Sequence, residues 1–253
     1  KGVNLNEKFS HKKYPLHLSI EQNRTDLSKL FIENNADLNT INEDGNSPIA
    51  SAVEKGNNVI CQNLLEKGAS ANEKNSKKIP LILIALKSSS PKLMELLLEK
   101  GADASTKDSE KNSLIHLVSD KGYSKLLKIL IAKGININEK NGAGDTALHI
   151  ASNKGNIEIL GLLLESGADI NVKGGEDDST PLFRAVDKSQ VKTVVLLISK
   201  KADVNSKNKE GVSALYVSVA KKNIEIIKAL ISAGANPNEK NSEDGTLVME
   251  IAK

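Results

Sequence analysis

The stretch that decides the fold is residues 146–171, TALHIASNKGNIEILGLLLESGADIN. It opens with a threonine, continues with two short apolar segments separated by Gly155, and ends at Gly167 before a polar turn. A hydroxyl at a helix start accepts a hydrogen bond from an otherwise unpaired amide, and a glycine after a helix can adopt the left-handed conformation that ends it. The stretch therefore predicts two short helices joined by a tight turn.

The opening letters of this stretch recur along the chain. Similar cores begin near residues 14, 47, 79, 113, 146, 180, 213 and 246, at spacings of 32 to 34 residues. A second landmark, of the form Gly167-Ala-Asp-Ile-Asn171, keeps the same phase. A unit of this size cannot bury its own apolar face, so consecutive units must stack on each other. The sequence therefore predicts a single all-α domain over residues 1–253.

The T-P-L-H and G-A-D-x-N signatures resemble those of ankyrin repeats, and the resemblance covers essentially the whole chain. Thr180-Pro-Leu-Phe183 and Gly167-Ala-Asp-Ile-Asn171 carry them most clearly. The resemblance implies a solenoid of stacked helix-turn-helix units with projecting, hairpin-like finger turns, and it implies binding to another protein. It also implies a structural hydrogen-bonding role for the histidines at the fourth signature position, which are His17, His116 and His149.

Composition and charge argue against several functions. The chain is 39% hydrophobic but only 2% aromatic, which suits a thin, layered core. Its net charge of +3 and its two arginines give little support for nucleic-acid binding. The lone cysteine, Cys61, lies in an apolar helix, which predicts a buried thiol and fits a reducing, cytoplasmic compartment. No apolar run approaches the roughly 18 residues that span a bilayer, so we expect no membrane insertion.

No group of residues has the spacing of a catalytic, cofactor or metal site. Equivalent histidines in stacked units lie roughly 10 Å apart, whereas metal–nitrogen bonds are about 2 Å long. The glycine-rich segments at residues 142–145 and 174–177 lack the lysine of a nucleotide loop and are predicted to be finger turns. We therefore expect neither enzymatic activity nor a bound cofactor or metal.

One candidate for partner binding is a lysine that recurs near the end of the first helix in six successive repeats. These residues would form a positive ladder along the concave face, and they are Lys55, Lys87, Lys121, Lys154, Lys188 and Lys221. The ladder favours an acidic partner peptide, through steering more than through affinity. The alternative is that they are ordinary solvent-facing lysines, partly neutralised by Glu54, Asp120 and Asp187.

Two apolar residues stand at positions that are polar in other repeats. Leu86 stands where other repeats have Glu54 or Asp120, and Val212 stands on a finger where another repeat has Asn46. An exposed apolar side chain within a polar rim is typical of an interaction anchor. The alternative for Leu86 is that its unusually apolar helix packs more tightly than the others.

The sequence therefore predicts a protein-interaction module, monomeric by default, that binds a protein or peptide on its concave face. Residues 2–6 match the tail of a preceding repeat, and residues 246–253 match a first helix without its second, so we expect a fragment of a longer chain. The alternative function is a substrate-recruiting or regulatory segment of a larger multidomain enzyme, channel or host-directed microbial effector.

Overall fold

The structure is a computed structural model that describes residues 4–9 and 13–238. Over these residues the chain forms fourteen α-helices and no strand. It divides into two compact units, Lys1–Thr106 and Lys107–Lys253. The eighth repeat core expected near residue 246 lies outside the described residues.

The first unit contains three helix pairs, each made of two short helices in a hairpin. The helices are α1 (Pro15–Glu21), α2 (Thr25–Glu33), α3 (Pro48–Glu54), α4 (Asn58–Glu66), α5 (Leu81–Lys87) and α6 (Pro91–Glu99). The first helices of successive pairs contact each other, α1 with α3 and α3 with α5. The second helices do the same, α2 with α4 and α4 with α6. The pairs therefore stack in two layers.

The second unit repeats this arrangement with four helix pairs. The helices are α7 (Leu114–Lys121), α8 (Ser124–Ala132), α9 (Ala147–Lys154), α10 (Ile157–Glu165), α11 (Pro181–Asp187), α12 (Val191–Ser199), α13 (Ala214–Ala220) and α14 (Ile224–Ser232). The odd-numbered helices form one layer of neighbours and the even-numbered helices form the other. The prediction of stacked helix-turn-helix units is confirmed in both units.

Polar side chains cap the starts of first and second helices, and the signature predicts the cap of the first helix. The Thr180 hydroxyl accepts a hydrogen bond from the amide of Phe183 at 3.2 Å, at the start of α11. The side-chain oxygen of Asn156 accepts one from the amide of Ile159 at 3.1 Å, at the start of α10. Each cap satisfies an amide that has no partner within its helix, which stabilises the helix by about 0.5–2 kcal/mol.

The core lies between the two layers and consists of aliphatic side chains. Leu64 of α4 and Leu163 of α10 have no exposed surface. Cys61 is also fully buried, and burial raises the pKa of its thiol to about 12. The expected buried, unreactive thiol is confirmed, because almost none of it is ionised near neutral pH. Within the described ranges, no helix has both the length and the apolar character needed to cross a membrane.

The third repeat begins one residue later than its letters indicate. Helix α5 starts at Leu81, which is 33 residues after the start of α3, and its N-cap is Pro80 rather than Ile79. Pro80 provides no side-chain cap. The turn after α5 contains Ser89 at φ 50°, which matches Gly56 at φ 66° one repeat earlier. The core predicted to begin near residue 79 therefore begins one residue later, at Pro80.

The finger turns are hairpin-like, as predicted. Isolated antiparallel bridges close four of them, including Lys107 to Ser113 and Gly174 to Ser179. In the second unit, neighbouring fingers are also joined through the backbone, because the amide of Gly142 donates to the carbonyl of Glu110 at 3.0 Å. The fingers are therefore fixed relative to the helices that follow them, and their side chains are held at the edge of the first-helix layer.

Candidate protein-binding groove

The ladder lysines are all exposed, but the corrected register removes one of them from the series. Lys87 is the last residue of α5 and aligns with Glu54, the last residue of α3. The ladder position in the third repeat is occupied by Ser88, which aligns with Lys55. The first unit therefore has a single lysine, Lys55, at the ladder position in the pairs α3–α4 and α5–α6.

In the second unit most ladder lysines are paired with carboxylates. Lys154 lies 2.9 Å from Asp120 of the preceding repeat. Asp187 lies 3.0 Å from Lys188 and 3.3 Å from Lys221. Burial alone would raise the pKa of Asp187, but the hydrogen bonds from the two lysines outweigh this effect and lower it. The ladder is therefore largely neutralised in this unit.

Lys121 is different, because no residue that the structure describes forms an ion pair with it. It lies at the end of α7 and is exposed. Exposed ion pairs contribute only about 0–1 kcal/mol to the free energy of unfolding. The pairing of the other lysines therefore reduces the positive potential at the groove and adds little to stability.

The two apolar candidates are less exposed than their sequence positions indicate. Leu86 is only 7% exposed, because the corrected register aligns it with the core residue Val53. The expectation of an exposed Leu86 was wrong, and its tighter packing is the alternative that holds. Val212 is half-buried on its finger, where its amide donates to the side chain of Asn208 at 2.8 Å.

A groove of about 430 Å³ lies over the first-helix layer of the second unit, against α7, α9 and α11. Leu117 of α7 and Ile150 of α9 line it and are half-buried. Asn153, Lys121 and Lys154 line it toward the ends of the same helices. The groove therefore has an apolar floor bordered by polar and charged side chains.

The finger side of the groove is acidic. Asp108, Glu110 and Asp145 line it there, together with Asn112. The Asn112 side-chain amide donates to Asp108 at 3.0 Å and to Glu110 at 3.3 Å. Hydrogen bonds to amides hold these two carboxylates in place without neutralising their charge.

Arg184 borders the groove at α11, at the helix position where α7 has Leu117. Its guanidinium lies 3.0 Å from Asp177 and 3.4 Å from Asp145. All three side chains are largely buried, with exposures of 24–32%. The arginine is thus shared between the carboxylates of two neighbouring fingers and closes this side of the groove.

Two histidines support the groove from below. Nε2 of His116 lies 3.0 Å from the carbonyl of Glu139, and Nε2 of His149 lies 3.0 Å from the carbonyl of Ser179. Carbonyl oxygens only accept, so Nε2 carries the proton and Nδ1 is an acceptor. The amide of Thr146 donates to Nδ1 of His149 at 3.1 Å. Each ring therefore ties a helix start to the next finger, which confirms the structural role of both histidines.

His17 makes only half of this connection. Its Nε2 lies 3.0 Å from the carbonyl of Thr40, but its Nδ1 is buried without a hydrogen-bond partner. The residue at the cap position of α1 is Tyr14, and its hydroxyl does not cap the helix. In the other two repeats a serine or threonine at this position places its hydroxyl next to Nδ1 of the histidine. Among the described residues, no group of histidine, cysteine and carboxylate side chains is arranged to hold a metal ion.

Comparison with known proteins agrees with this architecture. The family model described as ankyrin repeats (3 copies) matches residues 1–75, 81–174 and 173–241. The chain belongs to the ankyrin-repeat family. Ankyrin repeats are generally non-enzymatic modules for binding other proteins, and the ankyrin-repeat solenoid expected from the signatures is confirmed.

Two solved ankyrin-repeat domains are similar to this chain in structure. One is the ankyrin repeat domain of Bcl-3, a member of the IkappaB protein family, with a TM-score of 0.72 and 28% identity over 82% of this chain and 95% of that chain. The other is the human ASB11 ankyrin repeat domain, with a TM-score of 0.70 and 28% identity over 89% of this chain and all of that chain. Among curated protein sequences, no match was found.

The groove floor is not among the residues predicted from the sequence. Most of the predicted residues lie at the last positions of the first helix, whereas Leu117 and Ile150 occupy the position directly after the signature histidine. Variation among repeats could have indicated this position, because the corresponding residues include Ser51 and Arg184. A position that accepts serine, arginine and large aliphatic residues is not fixed by the stacking of repeats.

Proposed function

We propose that the chain binds a segment of another protein in the groove of the second unit, over α7, α9 and α11. Leu117 and Ile150 would provide the apolar contact, and the charged rim would orient the partner. Anchors of known interfaces are commonly apolar side chains in concave sites that polar residues surround. The observation that carries this proposal is the half-buried apolar floor within a charged border.

The repeat array itself indicates that this floor is not required for folding. Ser51 occupies the position of Leu117 and Ile150 in the second repeat, and α3 is nevertheless a regular helix in its stack. Serine at positions 117 and 150 is therefore compatible with the fold. These substitutions separate a binding role from a stability role.

The test compares the wild-type chain with a variant carrying Leu117→Ser and Ile150→Ser. Proteins retained from an extract of the source cells are identified by mass spectrometry, and the dissociation constant of the purified partner is then measured. We expect the double variant to bind at least about tenfold more weakly, because each anchor contributes more than about 1 kcal/mol. Its helical circular dichroism should match that of the wild type.

The matched control is Val195→Ser on α12, whose side chain is 50% exposed on the second-helix layer. This change should leave the affinity unaltered. Full affinity of the double variant, together with weakened binding by the control, would place the interface on the second helices and contradict the proposal.

An acidic partner bound along the ladder is the second candidate. Lys121 supports it, because this lysine lines the groove and has no ion-pair partner among the described residues. Lys55 would act in the same way in the first unit, where it is exposed at the ladder position. Reversal of Lys121 to glutamate should then slow association and weaken its dependence on salt.

The wider role is proposed from the same groove. The array would recruit a substrate or regulate a neighbouring domain if it belongs to a larger enzyme, channel or host-directed effector, and it would act alone as a binding module otherwise. The buried thiol of Cys61, with no second cysteine to pair with, supports a reducing compartment such as the cytoplasm.

A further inference from the structure

We infer that the partner segment presents a basic side chain about two to four residues from an apolar one, with the basic residue at the finger side of the groove. This inference rests on the proposed function and specifies the chemistry of the segment that would bind the chain. It differs from the acidic peptide that the lysine ladder favours. Its basis is the charge that remains along the groove once the ion pairs there are assigned.

The remaining charge is unequally distributed along the groove. Lys154 is matched by Asp120, and Arg184 is matched by Asp145 and Asp177. On the finger side, neither Asp108 nor Glu110 has a cationic partner among the residues described. Two carboxylates therefore face the groove without a counter-charge at one end, and Lys121 does so at the other.

The charge of Asp108 is not needed by the turn that it forms. Its carboxylate accepts hydrogen bonds from the amides of Glu110 and Asn112, each at 2.9 Å. Asparagine accepts the same pair of backbone hydrogen bonds in three other fingers, at Asn75, Asn141 and Asn208, and Asn42 accepts the second of the two. An asparagine would accept the two backbone hydrogen bonds equally well and would lose only the one from the Asn112 side chain, so the backbone of the turn does not require the negative charge of the aspartate.

The spacing of these features defines the segment. From the cap Ser113 to Leu117 is four helical residues, or about 6 Å along α7, and to Lys121 it is eight residues, or about 12 Å. An extended peptide advances about 3.3 Å per residue. A basic residue at the fingers would thus lie about two to four residues from an apolar residue on Leu117 and Ile150. Beyond that point, a carbonyl or carboxylate of the peptide would meet Lys121.

The inference is tested by selecting peptides from a random 12-residue phage-display library on the full chain. Peptides that also bind the Leu117→Ser, Ile150→Ser variant are removed. We expect the remaining sequences to be enriched in lysine or arginine about two to four residues from an aliphatic or aromatic residue. A synthetic copy of one selected peptide is then used as the probe in binding titrations.

Asp108→Asn with Glu110→Gln should weaken binding of this peptide about threefold to tenfold. Replacement of the peptide's basic residue by glutamine should abolish the difference between the two proteins. The matched control is Glu210→Gln, which changes the same finger position three repeats later, outside the groove. It should bind the peptide as the wild type does.

Three results would overturn the inference, and they affect the proposed function differently. Groove-dependent peptides that are rich in acidic residues, or that ignore the loss of Asp108 and Glu110, would contradict the basic partner while leaving the groove as the binding site. Recovery of no peptide that depends on Leu117 and Ile150 would contradict both.

Discussion

Acidification from about pH 7.5 to about pH 5.5 is expected to lower the free energy of unfolding steeply, because buried histidines are neutral in the folded chain. His17, His116 and His149 are each no more than 1% exposed. Burial lowers the pKa of all three below the usual value, and it outweighs the carbonyl hydrogen bonds that act in the other direction.

The hydrogen-bond geometry explains why protonation is unfavourable in the fold. Nδ1 of His116 accepts from the amide of Ser113 at 3.2 Å, and a proton on Nδ1 would face this amide donor. The unfolded chain binds protons more readily, so the stability is fully present above the unfolded pKa of about 6.5 and is lost below it. The loss is at most about 1.4 kcal/mol per histidine for each pH unit, and it ends at the pKa of each folded residue.

Asp103 and Asp187 do not contribute to the change in this pH range. The pKa values of Asp103 and Asp187 are lowered by hydrogen bonds, so their contribution is lost only when the pH falls below about 4. Urea unfolding at a series of pH values, followed by circular dichroism, measures the effect. A variant with His116→Gln and His149→Gln should be less stable at neutral pH, and its free energy of unfolding should depend less steeply on pH. A midpoint that stays constant down to about pH 5.5 would contradict neutral buried histidines.

Gly174→Ala is the second change for which we expect a large effect, a loss of about 1–3 kcal/mol in the free energy of unfolding. An added Cβ would lie 2.7 Å from the carbonyl oxygen of Gly144 and 2.6 Å from Cε1 of His149. The carbonyl of Ser179 accepts from both the Gly174 amide, at 2.9 Å, and the His149 ring. A methyl group would push the ring away from this carbonyl and separate two fingers.

Gly161→Ala is the matched control in the same unit. Gly161 lies inside α10, and nothing lies within 4 Å of an added Cβ. Alanine is favoured over glycine within a helix by about 1 kcal/mol, so this variant should be more stable than the wild type. Thermal and urea unfolding of both variants give the comparison. Equal effects of the same sign would show that the finger contact at Gly174 does not constrain the second unit.

The fold could be predicted from sequence because its information is local and repeated. Cap residues, apolar spacing and turn glycines recur in each unit, so one correctly interpreted repeat defines the others. The error in the third repeat arose because Ile79-Pro-Leu-Ile82 resembles the signature, although the match begins one residue before the N-cap of α5. Counting back from the later landmark would have corrected it, because Ala52 precedes Gly68 by 16 residues and Ala85 precedes Gly101 by the same number.

The candidate site was less predictable because it depends on which side chains meet across repeats. The sequence shows Asp120 beside Lys121, but the ion pair in the structure joins Asp120 to Lys154 of the next repeat. Arg184 likewise reaches the carboxylates of two fingers, one of them 39 residues earlier in the chain. Such contacts depend on the distance between stacked repeats and on the conformations of long side chains, neither of which can be derived from the sequence alone.

The central claim is that a partner occupies the groove over α7, α9 and α11. Site-specific photo-crosslinking tests it most directly, with p-benzoylphenylalanine replacing either Asn153, which lines the groove, or Val195, which is exposed on α12. The account predicts crosslinks to the bound protein from position 153 and none from position 195. Crosslinks from position 195 alone would show that the partner binds the second-helix layer and would contradict the account.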